Sequence, residues 1–270
     1  MIIDDIRSLN LPNTNTWIYE AEFGYDQINQ YCSEIKNQGS VLEIGCGSGI
    51  LLSILSEKFQ DLNFEGIEPF GDGFNKLKTL NEIIKSKGIE IKNTSYEEFV
   101  TKKKYNLIFC INVFEHITDW RHFLLRVEKF LKRNGKIIIL CPNYGFPYES
   151  HFSIPILINK KITYFLFKKY INDFEFNNDC IGLWKSLNLV KKKEVYQFYK
   201  YSQLFKKFAI KDDLSIIDFM FRRLLTNKTF RKRHIKITSL VIFLEKYRFF
   251  KLLKNFPNLI PYMKLTFHKY

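Results

Sequence analysis

No uninterrupted apolar run in the 270-residue chain approaches the roughly 18 residues of a membrane-crossing helix, so no transmembrane segment is expected. The opening MIIDDIRSLN is acidic and has no apolar h-region, which argues against a signal peptide. Cysteine is sparse. Cys32, Cys46, Cys110, Cys141 and Cys180 are odd in number and form no CxxC pair. Neither a disulfide framework nor a zinc site is therefore expected, and a reducing cytoplasm fits. There is no Walker GxxxxGK[ST], and no GxSxG elbow, since Ser48 has Cys46 two residues before it. No HExxH or other metal spacing occurs, so no metal is expected. Internal repeats and low-complexity linkers are also missing, and nothing marks a clean domain boundary.

What is present is a globular composition, 46% hydrophobic, in a chain long enough to bury a large core. Charge is uneven. Residues 1–150 hold 17 Lys+Arg against 20 Asp+Glu, and residues 151–270 hold 25 against 8, so the formal charges are −3 and +17. Such asymmetry suits a polyanion, a membrane surface or a phosphorylated substrate. An AT-rich coding sequence would raise Lys, Asn, Ile and Phe in the same way.

Strand and helix signals alternate over the first 145 residues. Helices are predicted at 25–37, 49–59, 72–88 and 120–135, the last two ending at Gly88 and Gly135. Short apolar runs predict strands at 41–46, 63–69, 89–94, 105–112 and 136–143. Strands separated by helices mean βαβ units, hence a Rossmann-like, doubly wound, mostly parallel sheet. From Tyr144 to about Gln203 the chain reads as aromatic and loop-rich with short helical pieces. Residues 212–256 read as mostly helical and basic, and 261–270 as a final strand. The expectation is one domain, 1–270. It comprises a cofactor-binding core at 1–145, a large aromatic, basic, helical insertion or lid on the substrate side at 146–260, and the last strand.

VLEIGCGSG (41–49) carries the chemistry. Gly45, Gly47 and Gly49 stand where the first strand turns into a helix. There glycine allows a tight turn and close backbone approach to a ligand. Glu68, at the end of the second strand, is placed to accept hydrogen bonds from two ribose hydroxyls. A nicotinamide dinucleotide prefers GxGxxG, whereas this chain has GxGxG followed by Ile50. Glu43 would also sit poorly beside a pyrophosphate. It suits a ligand bearing an ammonium and a sulfonium, as S-adenosylmethionine does.

At these residues the chain resembles the class I S-adenosylmethionine-dependent methyltransferases. SYEEF (95–99), YNLIFCINVFEHITDW (105–120) and LKRNGKIIILCPN (131–143) are similar to further motifs of that family, in the same order. The resemblance covers about residues 25–145. It implies a cofactor site of Glu43, Gly45, Cys46, Gly47, Gly49, Glu68, Ser95, Tyr96, Asn112 and Val113, with Ser95 and Tyr96 near the adenine. Ser95 also reads as a helix N-cap with Glu98 completing a capping box, and Cys46 as a small packing residue.

Acceptor groups are expected on the loops after the fourth and fifth strands. His116 titrates near neutrality and is a base candidate. It ranks marginally first because the family's strand-four geometry implies a place near the methyl. His151, with Glu149 to orient it, is the other. Tyr144 and Tyr148 are candidate pocket residues, and Trp184 a stacking platform for a sugar or base; core packing is the plain reading of Trp184. PYESHF resembles a segment of bacterial surface-polysaccharide (capsule or O-antigen) methyltransferases. This implies a sugar or a nucleotide-activated or phosphorylated glycan precursor as acceptor. KKK (191–193), RR (222–223) and RKRH (231–234), interleaved with aromatics, suit a phosphate-bearing substrate, peripheral contact with an anionic membrane, or a solvated lysine face. No RNA-binding module is visible, so an RNA methyltransferase is the alternative rather than the leading expectation.

Overall fold

A computed structural model describes residues 2–8, 14–36, 38–71, 73–74, 77–227, 231, 242–243 and 255–270. Helices α1 (Ile2–Ser8) and α2 (Thr14–Ser33) precede β1 (Ser40–Ile44). Next come α3 (Ile50–Lys58), β2 (Asn63–Ile67), α4 (Lys78–Ser86), β3 (Glu90–Lys92), β4 (Tyr105–Ile111), α5 (Trp120–Val127) and β5 (Leu131–Pro142). The rest is β6 (Tyr148–Glu149), β7 (Ile154–Pro155), α6 (Lys160–Asn177), α7 (Leu183–Ser186), α8 (Lys192–Tyr201), β8 (Phe208–Asp212), α9 (Ser215–Thr226) and β9 (Tyr262–Lys269). Seven strands form a mostly parallel sheet in the order β3-β2-β1-β4-β5-β9-β8, flanked by helices.

Parallel pairing positions the ligand-binding turn. β1 runs beside β2 with Ile44 opposite Ile67, and beside β4 with Glu43 opposite Phe109. The carboxyl ends of β1 and β2 are thus neighbours. The Ile67 carbonyl accepts from the amides of Gly45 (2.8 Å) and Cys46 (3.1 Å), closing the turn onto β2. Four of the five β1 residues are buried, as expected of a strand covered on both faces.

The chain divides into two compact units. One holds Met1–Val113, Asp119–Ile138 and Phe267–Tyr270, and the other holds Phe114–Thr118 and Ile139–Thr266. One boundary, between Ile138 and Ile139, falls inside β5. In the first unit, Ile18, Ala21 and Ile28 of α2, Leu52 and Leu55 of α3, and Leu80 and Ile84 of α4 share one core with Val41, Phe64 and Phe109 of the strands. A Cβ on Gly24 would lie 2.5 Å from Leu51 Cδ2, so glycine lets α2 approach α3 closely. In the second unit, β6 and β7 form an antiparallel ribbon with Glu149 opposite Ile154.

Three sequence expectations change. The first helix begins at Thr14 rather than at residue 25, because Ile18 and Ala21 extend its buried face. The helix predicted to Gly135 ends near Phe130, and β5 starts at Leu131. Lys269 donates to the Glu128 carbonyl (3.1 Å), giving a partner to a group left open where the helix stops. The stretch expected to hold only short helical pieces contains the 18-residue α6, capped by Asn159, whose side chain accepts from the Ile162 amide. Of the helical stretch expected at 212–256, α9 lies within the description. Residues 228–230, 232–241 and 244–254, with most of the RKRH run, lie outside the described residues.

Candidate active site

The first unit presents two buried carboxylates at the ends of β1 and β2. Glu68 receives the amides of Gly47 on Oε2 (2.8 Å) and Phe70 on Oε1 (3.0 Å). A carboxylate offers about four acceptor positions, so two amides leave capacity for ribose hydroxyls. Burial pushes its carboxyl above the ordinary range, against the pull of those amides. Glu43 is 4% exposed, and its Oε2 has no hydrogen-bond partner. Burial first, and the Glu68 charge second, hold its carboxyl well above the usual range. A buried acid with an orphaned oxygen requires an explanation, and a cationic ligand group supplies one.

The glycines form the cradle. Gly45, Gly47 and Gly49 have φ of +73°, +51° and +80°. A Cβ on Gly45 would lie 2.4 Å from Val113 Cγ2, and one on Gly49 would lie 2.6 Å from Ile91 Cδ1. Asn81, which sequence reasoning missed, donates from Nδ2 to the Gly47 carbonyl (2.7 Å) and steadies the turn. It lies on α4, 34 residues away, with no local signal. Asn112, at φ +55°, turns the chain sharply after β4.

Two residues implied as cofactor contacts have protein partners as well. Tyr96 is buried edge-on against Phe123 (centroids 5.0 Å), and its hydroxyl donates to the Asp119 carbonyl (3.3 Å). Arg126 donates from Nε to the Tyr96 carbonyl (2.7 Å). His122 and Phe123 of α5 pack against the Tyr96 ring. Ser95 does not cap a helix; a turn follows it, and its Oγ accepts from the Glu98 amide (3.3 Å). Cys46 directs its thiol at Gly66 of β2, and burial pushes that thiol well up.

The second unit gathers a different set. Glu149 and Glu115 are fully buried, the His116 side chain is 9% exposed and the His151 side chain 23%, with ring centroids 5.3 Å apart. Glu149 accepts from His151 Nδ1 (2.6 Å), the Tyr144 hydroxyl (3.2 Å) and the Phe152 amide (2.7 Å). Burial pushes Glu149 up, but His151 and the amides of Phe152 and His151 outweigh it, leaving the carboxyl below its ordinary value. An ionised Glu149 makes His151 Nδ1 the donor and puts the lone pair on Nε2.

His116 differs. The Ser186 hydroxyl donates to the Leu183 carbonyl (2.8 Å), so its oxygen accepts from His116 Nδ1 (2.8 Å). Burial, followed by the nearby His151 and Lys160 charges, holds His116 well below its ordinary pKa. It is a neutral imidazole near pH 7. Glu115 lies beside it, with Oε1 3.9 Å from His116 Nε2, and neither carboxylate oxygen has a hydrogen-bond partner. Burial raises Glu115 to about 7. Asn188 pins this turn, donating from Nδ2 to the carbonyls of Phe114 (2.7 Å) and Ile117 (2.8 Å). Among the described residues, Glu115, His116 and His151 each bring one ligand atom within 4.8 Å of the others, the arrangement closest to a metal site.

Tyr144 is buried and serves Glu149, while Tyr148 stands beside Glu149 on β6. Trp184 is 5% exposed, edge-on to Phe152 and stacked on Tyr164. The aromatic core of this unit occupies its faces.

A parallel sheet whose first strand ends in a glycine turn beside an orphaned acid, and whose second ends in an amide-bound acid, defines a class I, Rossmann-like transferase fold. The chain belongs to the methyltransferase-domain family, which matches residues 19–190. It is 31% identical over 224 residues to an uncharacterized protein of Mycobacterium tuberculosis, covering 79% of this chain and 72% of that one. It is 28% identical to the ubiquinone biosynthesis O-methyltransferase of Rickettsia conorii over 46% of this chain and 40% of that protein. The Haemonchus contortus phosphoethanolamine N-methyltransferase 2, solved with S-adenosyl-L-methionine, is similar in fold. Its TM-score is 0.52 at 15% identity, over 98% of this chain and 59% of that chain.

Proposed function

We propose that the protein is an S-adenosylmethionine-dependent O-methyltransferase. Its acceptor is a hydroxyl of a sugar, or of a nucleotide-activated or phosphorylated precursor of a bacterial surface glycan. The orphaned Glu43 beside the Gly45–Gly49 cradle supports the cofactor, and the Glu149–His151 pair carries the reading of the reaction. When bound, the cofactor supplies a methyl group activated by a sulfonium. Glu43 then balances cationic charge, and Glu68 takes the ribose hydroxyls on its remaining lone pairs.

On the acceptor side, His151 Nε2 takes the proton of the acceptor hydroxyl as that oxygen becomes alkylated. Glu149 holds the ring in the correct tautomer and stabilises the imidazolium that forms. Tyr144 and the Phe152 amide fix Glu149 in turn. Neutral His116 and the unpartnered Glu115 line the same cluster and offer acceptors to neighbouring hydroxyls of a polyol. His151 ranks ahead of His116 here because the buried Glu149 carboxylate holds its Nδ1, whereas the Ser186 hydroxyl holds that of His116, whose environment opposes protonation. The proline-bearing 141–155 loop and the +17 charge of residues 151–270 favour an anionic, polyhydroxylated acceptor.

The test is transfer of labelled methyl groups from S-adenosylmethionine to a panel of nucleotide sugars and phosphorylated sugars, with RNA alongside. Label in a sugar hydroxyl is the expected result. Label in RNA, or in an amine of the acceptor, overturns the reading.

A further inference from the structure

Helix α6 carries two apolar faces, and one is uncovered. Inward, Thr163 and Ile171 are buried, and Phe174 packs on Phe152 with centroids 5.0 Å apart. Outward, Ile162, Phe165, Leu166 and Phe176 share one face, with exposed Lys169 and Asp173 between the last two, and Phe165 is 80% and Phe176 77% exposed. Ile158, before the helix, is 88% exposed and held at φ +55°, a strained conformation for a β-branched residue. Ile181, after the helix, is 66% exposed. An apolar stripe of this kind marks an interaction site, since scattered exposed apolar residues would not align.

Charge identifies the occupant. Exposed Lys161, Lys168 and Lys169 share the helix with the stripe, and Lys160 is engaged with the carbonyls of Lys185 and Leu187. Of the acids, Asp173 is exposed, whereas Glu175 accepts from the amides of Gly182 (3.3 Å) and Trp184 (2.6 Å). A second copy seated face to face would oppose lysines to lysines in a half that carries +17. A nucleic acid would leave the apolar ridge unused. We propose that α6, with Ile158 and Ile181, lies on an anionic lipid surface, with aromatic side chains in the acyl boundary and lysines at the headgroups. The proposal is independent of the acceptor read from the His151 cluster.

The test is co-sedimentation of the full chain with vesicles of phosphatidylcholine alone and with about one-third phosphatidylglycerol, in low salt and in roughly 0.5 M salt. Binding to the anionic vesicles that weakens at high salt is expected. The double variant Phe165→Ser/Phe176→Ser is expected to lose at least about tenfold in affinity, and Lys168→Glu/Lys169→Glu a similar amount at low salt only. Unchanged S-adenosylhomocysteine binding and far-ultraviolet circular dichroism show that the variants are folded. No sedimentation with anionic vesicles overturns the proposal. So does equal binding by the double variant, or a solution dimer that Phe165→Ser/Phe176→Ser dissociates while vesicles bind neither protein.

Discussion

Nδ1 of His151 lies 2.6 Å from Oε1 of Glu149, a buried carboxylate that also takes the Tyr144 hydroxyl and the Phe152 amide. The imidazole is thereby held with its proton on Nδ1, as a base with an oriented carboxylate partner requires. His151→Ala and Glu149→Gln are expected to lower kcat by about a hundredfold or more while S-adenosylhomocysteine binding is unchanged. His116→Ala is expected to cost less. Calorimetry and steady-state kinetics on the same preparations decide this. Near-normal turnover in both His151→Ala and Glu149→Gln sinks the general-base reading and leaves proximity, as for an acceptor already anionic.

Removing Glu68 takes away ribose hydrogen bonds to a charged group. Glu68→Ala is expected to weaken S-adenosylhomocysteine binding by about 1.5–3 kcal/mol, roughly ten- to a hundredfold. Glu43→Gln has opposite effects on two observables. The carboxyl titrates well above its ordinary value because of burial, so the folded state holds its proton where the unfolded chain has released it. Stability therefore falls as pH rises from the unfolded pKa toward the folded one. Glu43→Gln is expected to raise the apo Tm at pH 8 and to shrink the further rise on adding S-adenosylmethionine. Differential scanning fluorimetry with and without cofactor reads both.

Glu115 follows the same sign with a stated window. Its folded carboxyl titrates at about 7 through burial, above the ordinary 4.5, so stability declines between those values as pH rises. The shift is on the order of 3 kcal/mol at pH 8. Glu115→Gln cannot ionise and is expected to flatten that decline, with a higher Tm than wild type at pH 8 and a similar Tm at pH 4.5. His116, held below its ordinary pKa, works the other way: stability falls as pH drops below about 6.5. A Glu115→Gln curve parallel to wild type between pH 4.5 and 8 counts against a buried, unpartnered carboxylate.

The ligand atoms of Glu115, His116 and His151 lie within 4.8 Å of one another, as those of a metal site would. The hydrogen bonds of His151 Nδ1 to Glu149 and of His116 Nδ1 to Ser186 favour a proton network instead. Dialysis against a chelator is expected to leave methyl transfer unchanged, and added zinc is expected not to raise it. Loss of activity on chelation with recovery on zinc or cobalt would reassign the cluster to metal binding.

The cofactor end was legible because its parts are local. The apolar run 41–44, the glycines at 45, 47 and 49, and Glu68 lie within 28 residues, and parallel pairing forces the ends of neighbouring strands together. At the acceptor end the Glu149–His151 pair was legible, since the two stand two residues apart, but its wider setting was not. Ser186, which sets the His116 tautomer, is 70 residues from it, and Asn188, which pins the same turn, is 74 residues from Phe114. Tyr96 and Trp184 show the converse, since both carry useful chemistry by type yet spend their rings on Phe123, Phe152 and Tyr164.

Hydrophobic period and glycine placement by themselves determined the doubly wound sheet and the turn at Gly45, since both follow from backbone sterics and burial over a few residues. Only tertiary structure decided which titratable groups meet. It brought Ser186 to His116, left Glu43 Oε2 and both Glu115 oxygens without hydrogen-bond partners, and buried His116 deeply enough to keep it neutral. Those outcomes depend on desolvation and on partners brought from distant segments, and no local pattern encodes either.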